Sequence, residues 1–154
     1  MLFPGGRLPL RIFEQRYMDM AKACLRDGAP FGVCLIREGA EVGAAATPMD
    51  VGTLARITSW DMPQLGVLQV SALGEQRFRI LERRVEPNGL ARARVELLAP
   101  EPDPQAPGSL AFCARLAERL PLPLELLQEL LELDDAPARF ARVNALLANA
   151  RAGS

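Results

Sequence analysis

Apolar and polar residues alternate near the start of the chain in a pattern that predicts a strand. Leu8, Leu10 and Ile12 fall on one face of an extended segment, and Arg11 falls on the other. Pro9 cannot donate a hydrogen bond to a neighbouring strand. We therefore expect this strand to lie at the edge of a sheet, or to be paired on one side only.

A helix is predicted next, over Gln15–Asp27. Its expected buried face is Tyr17, Met18, Ala21, Cys24 and Leu25, and its expected solvent face is Arg16, Asp19, Lys22 and Arg26. Glu14 precedes the helix, where a carboxylate suits the positive end of the helix dipole. Gly28 follows it, at the position where glycine commonly ends a helix.

The residues from 31 to 98 predict a series of strands. The strands are Phe31–Ile36, Val51–Ile57, Leu65–Leu73, Arg77–Arg83 and Leu90–Leu98. Phe31–Ile36 is continuously apolar, which favours a strand covered on both faces. Arg77 and Arg79 are expected to face away from Phe78 and Ile80. In Leu90–Leu98, the residues Ala91, Ala93, Val95 and Leu97 are expected to face inward.

Turn-forming residues separate these strands. Asp61–Gln64 is predicted to be a connection, and Gly74 a bulge or corner between two strands. Pro87-Asn88-Gly89 predicts a turn. The alanine-rich segment Val42–Pro48 fits a strand or a loop equally well.

A proline-rich segment over residues 100–108 divides the chain. Its four prolines exclude a helix or a central strand and are typical of a semi-rigid linker. Three short helices are predicted beyond it, the first capped by Ser109 and the third by Asp134 or Asp135. The fold class is therefore α+β, with a β-rich domain at 1–99, a linker at 100–108 and a helical lobe at 109–154. So small a lobe is expected to pack on the β-rich part or on itself.

Composition narrows the functional classes. The 154 residues carry a net charge of −1, whereas proteins that bind nucleic acids usually show a basic excess. No apolar run reaches the length of a membrane span, and no secretory signal pattern is present. The three cysteines show no CxxC spacing, which favours reduced thiols and a cytoplasmic location.

Candidate catalytic groups are sparse. The chain contains no histidine, which removes Ser-His-Asp and Cys-His chemistry and the commonest metal ligand. It has no phosphate-binding G-x-x-x-x-G-K-[ST] motif. The carboxylate pairs Glu38/Glu41 and Asp134/Asp135 are interpreted as a polar turn and a helix cap. We expect no enzymatic activity and no catalytic, cofactor-binding or metal-binding residues.

Several motifs together resemble one family. They are FPGG-x-LPLRIFE-x-RY over residues 3–17, the strand Phe31–Ile36, the segments Glu41–Gly43 and Val51–Ile57, the strand Gly74–Ile80 and the helical stretch Pro123–Glu132. In this order they resemble the Lon-protease substrate-binding (LON) domain family, in its small stand-alone bacterial form. The resemblance implies a PUA-like pseudo-barrel followed by helices. It also implies a non-catalytic domain that binds polypeptide substrates or a partner protein, without the ATPase and protease modules.

One departure from the family concerns the beginning of the chain. Members usually carry a further apolar strand just before the position that Met1 holds here. Two interpretations stay open: Met1 is the true start, or a valine codon has been mistaken for an alternative start and the strand is missing from this sequence. If the strand is missing, the sheet has one more open edge than its relatives, through which two copies could form a homodimer.

The candidate binding residues lie around the first helix. Arg11, Glu14, Arg16 and Tyr17 are predicted to form the rim of a peptide-binding groove, between Leu8–Tyr17 and the helical lobe. The alternative interpretation is a structural helix start, with Tyr17 in the core and Arg16 pairing locally.

Two other functions stay open at this point. One is an RNA-binding module, on a face made by Arg77, Arg79, Arg83, Arg84, Arg92 and Arg94. Glutamates interleave with these arginines, which favours a salt-bridged solvent face over a nucleic-acid site. The other is a structural or oligomer-forming protein.

Overall fold

The computed structural model describes residues 1–38 and 47–152. In order, the elements are β1 (Arg7–Ile12), α1 (Gln15–Asp27), β2 (Phe31–Val33), β3 (Ile36–Glu38), β4 (Thr47–Pro48), β5 (Val51–Gln64), β6 (Val67–Val85), β7 (Ala91–Leu97), α2 (Leu110–Arg119), α3 (Leu124–Glu132) and α4 (Ala136–Ala152). The segment Glu41–Gly43 lies outside the described residues. Of the ambiguous segment Val42–Pro48, the last two residues form β4.

One long strand, β6, organises the sheet. Five strands pair antiparallel in the order β1-β6-β5-β2, and β7 pairs with the far half of β6. Leu8 of β1 is opposite Ala72, and Leu97 of β7 is opposite Phe78. The predicted α+β class, with one helix in the β-rich part and helices after it, is confirmed. In the described residues the sheet does not close into a barrel, and β1 is an edge strand as Pro9 predicts.

The bulge at Gly74 holds the N-terminal turn against the sheet. The pairing of β5 with β6 shifts register beside Gly74, as predicted. The Gly74 N–H donates to the Gly6 carbonyl at 2.8 Å, and its own carbonyl accepts from the Gly5 N–H at 2.9 Å. A Cβ atom at Gly74 would overlap the Phe3 carbonyl oxygen. Only glycine therefore permits this close backbone approach.

Two strand predictions were wrong at their boundaries. Asp61–Gln64 is not a connection, because β5 continues to Gln64 and turns at Leu65-Gly66, where Gly66 has φ +83°. The stretch Phe31–Ile36 is not one strand covered on both faces. It divides into β2 and β3, and Gly32 is exposed because β2 pairs only with β5 at the edge of the described sheet.

The inward face predicted for β7 was also wrong. Ala91 and Ala93 are exposed, Val95 is half-buried and Leu97 is 52% exposed. The physical reason is that, among the described residues, β7 pairs with β6 alone, and a cleft rather than packed side chains separates this hairpin from α1.

The helical lobe shares a core with the β-rich part. Phe3 and Val51 lie in the same buried cluster as Leu110, Leu130 and Val143. The helices therefore pack on the β-rich part, as expected from their small size. Ser109 caps α2 by accepting a 3.0 Å hydrogen bond from the Phe112 N–H, and Asp135 accepts one from the Ala138 N–H at 3.3 Å.

Two arginines are buried at this lobe, and the residue pattern predicts the burial of neither. Arg77 was predicted to face solvent, but it is 4% exposed and donates to the Leu131 carbonyl at 2.8 Å. Arg139 has no exposed surface, donates to the Gly108 carbonyl at 2.7 Å and pairs with Glu101. Both guanidinium groups satisfy backbone carbonyls that burial would otherwise leave without donors.

Candidate functional site

A cleft of about 770 Å³ lies between α1 and the β6–β7 hairpin. One wall is the second half of α1 with the start of β2, including Cys24 and Phe31. The other wall is the hairpin, including Arg84 and Arg92. We name this space the hairpin cleft. Its volume is in the range of ligand-binding pockets in general.

The turn between β6 and β7 shapes the end of the hairpin cleft. Gly89 has φ +90°, which glycine adopts without strain, and the Leu90 N–H donates to the Asn88 side chain at 3.0 Å. Arg16 of α1 donates to the Gly89 carbonyl at 3.0 Å. Leu90 is buried. These contacts fasten the hairpin to α1 at one end, while the rest of the strand pair is exposed.

Arginines dominate the lining of the hairpin cleft. Five line it, together with two carboxylates: Arg26, Arg83, Arg84, Arg92 and Arg94, with Asp27 and Glu82. Arg84 and Arg92 are directly opposite each other in the register of β6 and β7. Like charges in that position repel. Glu86 contacts both of them, with its Oε1 atom 3.8 Å from Arg84 Nη2 and 2.5 Å from Arg92 Nε.

Three of the four predicted site residues lie together. Arg16 Nη2 is 3.5 Å from Glu14 Oε1, and the Arg16 guanidinium lies 4.8 Å from the centre of the Tyr17 ring. Arg16 is 6% exposed, so its placement on the solvent face was wrong. The reason is its hydrogen bond to Gly89, which lies far along the sequence. Glu14 and Arg16 line a depression of about 260 Å³.

Arg11 lies elsewhere. It is exposed on β1 and lines a separate concavity of about 540 Å³ with Trp60 and Asp61. The helical lobe packs directly on the N-terminal turn, where a methyl group at Gly5 would touch Ala111. A binding role for Arg11, Glu14, Arg16 and Tyr17 stays a prediction.

The cysteine thiols are poor nucleophiles at neutral pH. Burial raises the pKa of Cys34 and of Cys113 to about 11. Burial and the Asp27 carboxylate raise the pKa of Cys24, while Arg92 acts in the opposite direction. Among the described residues, no group of three or more His, Cys, Asp or Glu side chains is arranged to hold a metal ion. None of the described helices combines the length and apolar character of a membrane span.

The residue pattern does not predict the hairpin cleft. It indicates the arginines of β6 and β7 and the turn between them, but not the packing of that hairpin beside α1. The sequence feature that could have indicated this cleft is a rigid Pro-Asn-Gly turn together with an arginine in the first turn of α1. That signal is weak without knowledge of the contact between them.

Comparison with known proteins shows the family. Residues 1–111 match the model of the ATP-dependent protease La (LON) substrate-binding domain. The chain belongs to this family, as its motifs predict. A Lon N-terminal domain protein from Xanthomonas campestris is similar in structure, with a TM-score of 0.75 and 35% identity, over 96% of this chain and 92% of that one.

More distant relatives share the fold or part of the sequence. The N-terminal domain of a Mycobacterium avium complex Lon protease has a TM-score of 0.67 at 14% identity, over 92% of this chain and 89% of that one, which shows the fold alone. Cereblon from Danio rerio is 29% identical over 79% of this chain and 28% of its own length. A Lon protease from Anaeromyxobacter dehalogenans is 32% identical over 62% of this chain and 11% of its own length. The chain thus spans less than a third of these two relatives.

Proposed function

We propose that this chain is a non-catalytic domain that binds an extended segment of polypeptide in the hairpin cleft. The observation that carries the proposal is an open cleft bordered by a strand with a free edge. In the described part of the chain, β7 pairs with β6 alone. Its outer edge therefore offers backbone N–H and C=O groups to which a peptide strand can add.

The exposure of β7 supports this mode of binding. Six of its seven residues are exposed and the seventh is half-buried. Arg92 and Arg94 on this strand discourage uncontrolled pairing with other chains, because charged side chains commonly protect edge strands. A bound segment would gain main-chain hydrogen bonds from the edge and side-chain contacts from the opposite wall.

Family membership supports the class of ligand. The family is described as a substrate-binding domain, and its relatives include proteases that act on polypeptides. We extend that role to this chain, with polypeptide substrates or a partner protein as ligands. We further propose a cytoplasmic location, because the three cysteines are free thiols.

Binding of a fluorescein-labelled unfolded polypeptide tests the proposal. Ala23 lines the hairpin cleft from α1 and Ala91 lines it from β7. Ala23→Trp and, separately, Ala91→Trp should fill the cleft and weaken binding at least about tenfold, since a displaced segment loses both edge and wall contacts. Ala145→Trp, at an exposed position on α4, is the matched control and should bind like the unmodified protein.

The outcomes distinguish an error in the proposed binding site from an error in the proposed function. Unchanged binding in both cleft variants would place the polypeptide elsewhere on the molecule. No binding of unfolded polypeptide by the unmodified protein would contradict the function itself. Light scattering on the same samples would test the separate proposal that open sheet edges join two copies into a homodimer.

A further inference from the structure

We propose that the hairpin cleft selects polypeptide segments that carry a carboxylate, and that Arg84 and Arg92 receive it. This inference rests on the proposed function and names the chemistry of its ligand. The carboxylate comes from an aspartate or glutamate side chain, or from a free C-terminus.

The distribution of charge in the cleft is the first support. Three of the arginines that line it each have a carboxylate partner: Arg26 with Asp27, Arg83 with Asp50 and Arg94 with Glu82. Arg84 and Arg92 share one partner, Glu86. Two positive charges thus face a single negative charge. The excess positive charge of the cleft is concentrated at this pair.

The geometry of the pair is the second support. Arg84 and Arg92 are directly opposite across two neighbouring strands, which places their side chains on the same face of the hairpin. The Glu86 contact to Arg84 is long at 3.8 Å, near the limit for an ion pair. A second carboxylate near Arg84 would relieve the repulsion between the two guanidinium groups.

Accessibility is the third support. The side chain of Arg84 is 74% exposed and that of Arg92 is 56% exposed, so a ligand can reach both. Arg92 also acts across the cleft on Cys24 of the opposing wall. Burial raises the pKa of Cys24 overall, and the positive charge of Arg92 offsets part of that rise. A peptide between the walls would therefore pass close to this positive charge.

Matched peptides test the inference. One fluorescein-labelled peptide of mixed apolar sequence would carry a central glutamine and an amidated C-terminus. A second would differ only by glutamate for glutamine, and a third only by a free C-terminal carboxylate. Anisotropy titrations should show at least about threefold tighter binding for one of the two acidic peptides, since exposed ion pairs contribute modestly. The preference should shrink as salt increases.

Variants of the protein test whether Arg84 and Arg92 cause the preference for acidic peptides. Arg84→Gln with Arg92→Gln should abolish the preference for the acidic peptide, while Arg115→Gln, at an exposed position on α2, should retain it. Circular dichroism would show that each variant is folded. Should the double variant fail to fold, Arg84→Gln alone serves, because this side chain is largely exposed.

Each outcome has a distinct meaning. Equal affinity for all three peptides would overturn the inference and leave the proposed function intact. Absence of binding to every peptide and to unfolded polypeptide would remove the proposed function as well. A labelled RNA of similar length that binds more tightly than the peptides, and is lost in the double variant, would overturn the inference in favour of a nucleic-acid site.

Discussion

Arg139→Met tests how strongly a buried ion pair holds the helical lobe in place. In the folded chain the Arg139 guanidinium has no exposed surface. It pairs with Glu101 and donates to the Gly108 and Leu133 carbonyls, which joins the proline-rich segment to α3 and α4. Burial lowers its pKa to about 10, with Arg77 acting in the same direction. The group is therefore still charged at pH 7.

The expected loss of unfolding free energy follows from the interactions that a methionine side chain cannot make. It fills most of the space, but Glu101 is left as a buried charge without its partner and two carbonyls lose their donor. Removing one member of a buried pair costs about 3–5 kcal/mol of unfolding free energy. For a chain of this size, that lowers the midpoint of thermal unfolding by about 10 °C.

Arg142→Met is the matched control on the same helix. Arg142 pairs with Glu129 at 2.9 Å, but both side chains are about half exposed. Exposed pairs contribute about 0–1 kcal/mol. Adding Glu101→Gln to Arg139→Met should recover part of the loss, because the unpaired charge is then removed.

Urea unfolding followed by circular dichroism measures these differences. Trp60, the single tryptophan, is 58% exposed, so its fluorescence reports poorly on the core. A loss of stability in Arg139→Met no larger than in Arg142→Met would refute this account of the buried pair.

Two further predictions concern a glycine and the buried thiols. Gly74→Ala should destabilise the fold by about 2–3 kcal/mol in urea unfolding, since its methyl group would overlap the Phe3 carbonyl. Gly66→Ala, in an open turn with φ +83°, should cost only about 1 kcal/mol, and an equal cost for both would contradict the overlap. Cys113 should resist iodoacetamide at pH 8, measured by mass spectrometry. Burial raises the pKa of both thiols to about 11, so the rate of Cys34 alkylation should keep increasing towards pH 11. A rate that levels off near pH 9 would contradict the raised pKa of Cys34.

The sequence predicts the local features of this fold well. The bounds of α1 follow from an apolar stripe with Gly28 after it, and the structure has the same bounds. The burial of Arg16 within that helix could not be predicted. It depends on the Gly89 carbonyl, 73 residues away in sequence, and not on the helical pattern.

The strand errors have a similar origin. Pro63 and its polar neighbours predict a connection, yet they lie in β5, where its pairing with β6 is irregular and a missing N–H is tolerated. The alternation in β7 predicts a buried face, yet alternation shows which side chains share a face and not whether anything covers it. The candidate cleft depends on that same uncovered hairpin.

The central position of β6 has a consequence for the order of folding during synthesis. β5 and β6 are neighbours in sequence and can pair as soon as both are made, whereas Leu8 must wait for Ala72. Phe3 shares a core with Val143, so Phe3 is not fully buried until the helical lobe has been made. Because contacts between distant residues form slowly, the emerging chain exposes the apolar side chain of Phe3 until the helical lobe is made. Chaperones that bind exposed apolar segments should therefore matter more for producing this protein than for maintaining it.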